Sequence, residues 1–129
     1  MRDRRHAPHL ADELGSLASG FLFAGASSVI STYWRVRDAS ALLFSDLFYT
    51  ARRRRDASLA HCLDTAARTL RTMSEQEAYA RLTGLLDTYD EVDVNRRRRV
   101  LAPFLNARDD HRPFTSPVDW AAFFLTGRP

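Results

Sequence analysis

From Leu10 the apolar residues fall at helical spacing: Leu10, Leu14, Leu17 and Phe21 lie four, three and four apart, with Ala18 and Leu22 beside them. Asp12 and Glu13 would occupy the first turn, the favourable end for anions, and Gly25 is a stop signal. The pattern then changes. Ser28-Val-Ile-Ser-Thr-Tyr-Trp34 is β-branched and aromatic, too short for a stable helix, and carries no charge on either alternating face. It predicts a strand buried on both sides. Helical periodicity returns at Ala39 to Arg53, with Asp38 as its cap and Leu43, Leu47 and Ala51 on one stripe beside Phe44 and Phe48. Asp56 is the predicted cap of a helix carrying Leu59, Leu63, Ala66, Ala67 and Leu70, and Ser74 with Glu77 forms a capping box before Ala78, Leu82, Leu85 and Leu86. Asp87 to Asp93 reads as an acidic loop, and Asn95 as the cap of a short helix, Arg96 to Leu105, disturbed by Pro103. Residues 106–117 read as loop, and Asp119 to Thr126 as a second strand bounded by Gly127.

These elements make an α/β protein, helix-rich and with few strands. Two apolar strands alone form a marginal sheet with unprotected edges, so the first strand is expected to belong to a larger sheet whose other strands lie outside this chain. Composition narrows the picture. A chain of 129 residues with 45% hydrophobic content can bury a core, which excludes a disordered tail. No apolar run reaches the roughly 18 residues of a membrane span. The polar segment 1–10 is basic but leads into no signal-peptide core, and the lone Cys62 fits a reducing compartment, so a cytoplasmic location is expected. All 19 basic residues are Arg, yet the net charge is only +3. The quartets Arg52–Arg55 and Arg96–Arg99 would spread charge around a helix, have acids close by and lack interleaved aromatics, so nucleic acid is not the expected partner.

Candidate chemistry is sparse. His61 and Cys62 are adjacent on a helix and diverge by about 100°, so they cannot act as base and nucleophile, and Cys62 reads as a small apolar packing residue. His6 and His9 lack a third ligand, His111 reads as equally at home in solvent, and no metal or cofactor is expected. The best site candidate is Trp34-Arg-Val-Arg-Asp38, at the C-terminal end of the first strand, where open α/β sheets place their crevices. Trp34 could wall a subsite and Arg35 could face an acidic peptide group. The competing reading puts Trp34 in the core and makes Asp38 a helix cap.

The segment Ala11 to Asp38 resembles the CHAT domain, a caspase-like peptidase family of clan CD. The resemblance rests on Asp12, Glu13, Phe21, Leu22, Ala24, Gly25, Ala26, Val29, Ile30, Trp34, Val36 and Asp38, with Phe48 and Tyr49 in the next helix, the Ala/Leu-rich Ala57 to Leu70, and the closing Trp120-Ala-Ala-Phe-Phe-Leu-Thr-Gly127. It implies a caspase-like three-layer sandwich of which residues 11–128 would be the C-terminal, small-subunit-like half, with an inserted helical stretch at about 73–116. The family's catalytic His and Cys lie upstream of the matching segment. Here the space before Asp12 holds Arg4-Arg-His-Ala-Pro-His-Leu10, with no Cys. The resemblance therefore implies a non-catalytic part of a peptidase in a signalling or defence system. Such a part contributes sheet, groove wall and packing surface, its partner a separate catalytic half or another chain and the intact family's substrate a peptide. The alternatives are an interaction module with an exposed strand edge and a basic helical nucleic-acid binder.

Overall fold

The structure, a computed structural model, describes residues 10–89 and 93–129, with side chains from Leu17 onward. Its fold is mixed α/β and helix-rich. In chain order the elements are α1 (Leu10–Phe23), β1 (Ser28–Thr32), α2 (Asp38–Arg52), α3 (Leu59–Thr72), α4 (Glu75–Thr88), α5 (Val94–Leu101), the short helix α6 (Pro117–Trp120) and β2 (Phe123–Gly127). A 3₁₀ turn at Ala102–Phe104 follows α5 and carries Pro103, as the expected disturbance of that helix requires.

The core is helical. Leu43, Phe44, Leu47 and Phe48 of α2 meet Cys62, Ala66 and Leu70 of α3 and Ala78, Leu82 and Leu86 of α4, all buried. Phe104 of the 3₁₀ turn and Phe114 of the loop after it close the cluster. In α2 and α4 these are the stripes that the i, i+3, i+4 spacing marks, while in α3 the fully buried row is Cys62, Ala66 and Leu70, with the expected Leu59, Leu63 and Ala67 only partly buried beside it. The Ser74 capping box is present: the Ser74 hydroxyl accepts the Glu77 N–H (3.1 Å) and Glu77 Oε2 accepts the Ser74 N–H (2.9 Å). Gly25, at φ +106°, ends α1 in a Schellman turn, with Ala26 N–H donating to Phe21 C=O and Gly25 N–H to Leu22 C=O.

Other caps differ from expectation. Asp38 is the first residue inside α2, and the capping position falls on Arg37, whose side chain makes no cap bond. Ser58, not Asp56, caps α3, its hydroxyl accepting the His61 N–H at 3.1 Å. Asp93, not Asn95, caps α5 and accepts the Asn95 N–H. Before α3 and α5 several short polar side chains compete, and the geometry of the entering chain selects among them. The Asp87–Asp93 loop begins later than expected because α4 runs to Thr88, and its residues 90–92 lie outside the described set.

Both strands are shorter than expected. β1 stops at Thr32, before Tyr33 and Trp34, and Asp119 and Trp120 belong to α6, whose Ser116 cap and Pro117 first position form a standard helix start. β1 and β2 pair antiparallel with Ser28 opposite Gly127 and Thr32 opposite Phe123. The face carrying Ile30 and Phe123 turns to the core, where the Phe123 ring stacks on Phe44 at 3.6 Å between centroids. Every residue of β1 is half-buried rather than enclosed on both faces. The reason is topological: β2 is its single strand neighbour among the described residues.

Candidate functional site

The groove along β1 is built from three elements. Leu17, Ala18 and Phe21 of α1 form one wall, Phe44, Ser45, Phe48 and Tyr49 of α2 the other, and Val29 to Thr32 the floor, around a volume of about 430 Å³. Its walls are apolar but not closed: Leu17, Phe21 and Tyr49 are each more than half exposed. The floor is the open edge of a strand. Tyr33 N–H donates to Ala122 C=O and Arg128 N–H to Ser27 C=O, so the bonded pairs of the ladder recur in steps of two through Val29 and Ser31. Ser28, Ile30 and Thr32, between them, direct their backbone N–H and C=O groups away from β2 and along the groove. Among the described residues no strand pairs with this edge, and an open edge between apolar walls is what an incoming strand needs.

At the C-terminal end of β1 the predicted site residues separate. Trp34 is half-buried, and its indole N–H donates to Val118 C=O at 2.8 Å. That bond ties the loop after β1 to α6 and favours the packing reading of Trp34. Arg35 and Asp38 are exposed and share a shallow cleft with Arg99 of α5 and the buried Val100 and Phe104. The structure thus brings Arg35 and Asp38 together and turns Trp34 elsewhere.

Beside this cleft lies a network that sequence reasoning missed. Asp119, 5% exposed, accepts Arg37 Nε at 3.0 Å and Arg37 Nη2 at 2.8 Å in a two-pronged pair, and also the Ser40 hydroxyl at 2.7 Å. The Arg37 guanidinium lies over the Phe114 ring at 5.3 Å, and Arg71 lies over Trp120 at 5.1 Å. Burying a carboxylate demands such partners. The overlooked signal is Ser116-Pro117, which opens a helix and so turns Asp119 inward.

A second polar cluster pins the loop 106–112 to α4. Glu75 accepts the Arg108 backbone N–H at 3.1 Å and meets His111 Nδ1 at 2.7 Å, while Glu75 N–H donates to His111 C=O. The Arg108 N–H, then His111, hold the Glu75 carboxyl below its ordinary range. Arg108 grips Asp110 with two bonds of 2.9 and 2.6 Å, which lowers the Asp110 pKa and raises that of Arg108.

Cys62 is fully buried in the core, and His61 is exposed, its ring near Thr65. The two are not brought together. His6 and His9 lie outside the described residues, and among the described residues no group of three or more His, Cys, Asp or Glu side chains is arranged to hold a metal. In the Arg quartets, Arg97 pairs with Asp87 at 2.6 Å and Arg52 donates to Ala57 C=O. No helix among the described residues is long and apolar enough to cross a membrane.

No curated protein and no solved structure matches the chain. A family model does: the CHAT domain model matches residues 4–128, a span that includes the helical stretch 73–116. With nearly its whole length matched, the chain belongs to the CHAT domain family.

Proposed function

We propose that this chain is a non-catalytic C-terminal half of a CHAT-type, caspase-like peptidase, and that it works by completing the sheet of a catalytic half. The observation that carries the reading is the β1 groove, where the backbone groups of Ile30 and Thr32 that face away from β2 have no strand partner among the described residues and lie between the exposed Leu17, Phe21 and Tyr49. A strand from the catalytic half would pair with this edge and bury the apolar walls, extending the two-stranded sheet toward a three-layer sandwich. The chemistry of such a peptidase, attack of a His-activated thiolate on a peptide carbonyl, would come from the partner. This chain would supply sheet and groove wall. Its own cysteine supports that division, because a thiol with no exposed surface in an apolar core cannot reach a peptide.

The test mixes the purified chain with a CHAT-domain polypeptide that spans the family's His and Cys motifs and ends after the Cys. The expected result is a one-to-one complex on size exclusion and peptide cleavage that neither part shows alone. Thr32→Pro should abolish the complex while leaving the free chain folded: the Thr32 N–H faces away from β2, so proline there removes no β1–β2 bond. Peptide cleavage by the chain alone, lost on Cys62→Ala, would overturn the reading. The same edge could serve as a general strand-docking module, and a complex with a β-strand peptide but not with the catalytic half would favour that alternative.

A further inference from the structure

We propose that residues 115–121 form a strap clasped to the loop Trp34–Arg37, and that strap and loop open together as one unit while α2, α3 and α4 stay packed. The device belongs to the free chain and does not depend on what pairs with the β1 edge.

The strap is fastened differently from the chain on either side of it. Phe114 before it and Ala122 after it have no exposed surface. Between them Thr115 to Val118 are exposed, Asp119 is the one buried residue, and Trp120 gives a half-buried foothold on the core. Opposite, no residue from Trp34 to Arg37 is buried. Polar bonds therefore join the two stretches. The Trp34 indole N–H donates to Val118 C=O at 2.8 Å. Arg37 gives Nε and Nη2 to the Asp119 carboxylate at 3.0 and 2.8 Å, and Nη2 reaches Pro113 C=O at 3.4 Å. Ser40, near the start of α2, adds its hydroxyl to Asp119 at 2.7 Å.

These bonds hold only as a set. Asp119 stays out of water because Arg37 and Ser40 satisfy it, and a carboxylate that loses them is drawn back to solvent. Arg37, whose side chain is 52% exposed, is resolvated as soon as the pair parts. Asp119 lies in α6, a single turn of four residues that is too short to persist as a helix unsupported. Once the carboxylate leaves, Val118 is carried away from Trp34 and the loop keeps few anchors. Tyr33, bonded to Ala122 and with its ring stacked on Phe124 at 4.2 Å, marks where the unit ends against β2. Behind the strap the helices are locked by Leu43, Leu70 and Leu82, none with exposed surface, so they do not follow. Segments with few buried apolar contacts open at lower free energy than a packed core, and this one sets the path of the chain at the C-terminal end of β1.

The experiment is native-state amide exchange on the purified chain at neutral pH, with and without low urea. Ala41 N–H donates to Arg37 C=O at 3.0 Å and Ala121 N–H to Pro117 C=O at 2.9 Å, so the two amides report the two sides of the clasp. Relative to intrinsic rates, both should exchange at least about a hundredfold faster than Leu70 and Leu82 in the core, and respond little to urea where those respond steeply. Trp34→Phe removes the indole N–H and should speed Ala41 and Ala121 by one common factor, about fivefold. Asp119→Asn, which touches the clasp at another point, should also speed both equally, by about thirtyfold. An unaltered circular dichroism spectrum checks that each variant keeps its helices. Independent tethers give a different result: Trp34→Phe would then reach Ala121, through Val118, and leave Ala41 as in the parent. That outcome overturns the proposal, as does no change at either amide, or a urea response of Ala41 and Ala121 as steep as that of Leu70 and Leu82. Complex formation at the β1 edge has no bearing on these rates in the free chain, so the two readings fail separately.

Discussion

The helical side of the molecule and its sheet side are built from the same kinds of residue and finished to different degrees. On the helical side, Leu43, Leu70, Ala66, Ala78, Leu82 and Cys62 have no exposed surface, and the helix starts are capped by Ser58, Ser74 and Asp93. On the sheet side, every strand residue is at least partly open, Leu17 is 61% exposed and Phe23 99%. Apolar side chains of this size left in water cost the chain burial it could have gained. A finished core next to an unfinished sheet teaches that the two serve different ends. On the proposed reading, the helices hold the chain together and the open sheet edge is where a partner strand would pair.

The contrast breaks if a core substitution and a groove substitution have similar effects. Leu82→Ala removes a fully buried side chain from between α2 and α4 and should lower the unfolding free energy by about 3 kcal/mol, read as a reduced urea midpoint at constant slope. Phe21→Ala takes a large side chain from the groove wall, where it is 54% exposed, and should change stability by no more than about 0.5 kcal/mol. Its cost should appear instead in complex formation with a catalytic half. If Phe21→Ala destabilised the free chain as much as Leu82→Ala does, the groove would be part of the core rather than a surface awaiting a partner.

The hinge between the two sides is the buried Asp119, and it sharpens the comparison at the next level of effect. Asp119 joins α6, and through it β2, to Arg37 and Ser40 at the start of α2. Asp119→Asn keeps the shape but takes the charge from the pair with Arg37. Breaking a fully buried pair costs several kcal/mol, but Arg37 is about half exposed and can be resolvated, so about 2 kcal/mol is expected. Arg37→Lys should recover less than half of the pair, because an ammonium cannot make the two-pronged contact. A substitution at Asp119 with no effect on unfolding would mean that sheet and helices are coupled by apolar packing alone.

The same division governs what could be read from sequence. The helices α2, α3 and α4 were legible because their burial is supplied within the chain: Leu43, Leu47, Leu70 and Leu82 sit on periodic stripes that find one another. The capping box at Ser74 was legible because its two partners are three residues apart. β1 was legible as a strand but not in its burial, since Val29 and Ile30 look alike whether their neighbours are in this chain or another. Asp119 was illegible for a related reason. Its partners Arg37 and Ser40 are 82 and 79 positions away, and a long-range pair leaves no local trace. The CHAT resemblance reached the right family from Ala24-Gly-Ala26, Trp34-x-Val-x-Asp38 and the closing Trp120 segment. Arg35 and Asp38 could be singled out from that motif, whereas Arg99 could not, because its place beside them depends on how α5 packs.

The smallest expected effect concerns pH, and it lies wholly on the helical side. The Glu75 carboxyl has its pKa lowered from 4.5 by the Arg108 N–H and by His111. A carboxyl whose folded pKa lies below its unfolded value contributes stability that is present above the unfolded value and lost as pH falls through the folded one. Above about pH 5 the loop 106–112 should therefore stay fastened to the start of α4. As pH drops below 4.5, protonation of Glu75 removes the charge that the Arg108 N–H and His111 bind, and the loop should loosen before the core melts. Amide exchange at Arg108, followed from pH 6 to pH 3, should accelerate beyond the intrinsic pH trend as Glu75 titrates. Glu75→Gln should show the faster exchange at every pH and lose that excess pH dependence. The groove has no such carboxyl among its lining residues, so strand docking at β1 should be indifferent to pH across the same window. A loop that stays protected through the titration would place its anchorage in the packing of Phe104 and Phe114 instead of in Glu75.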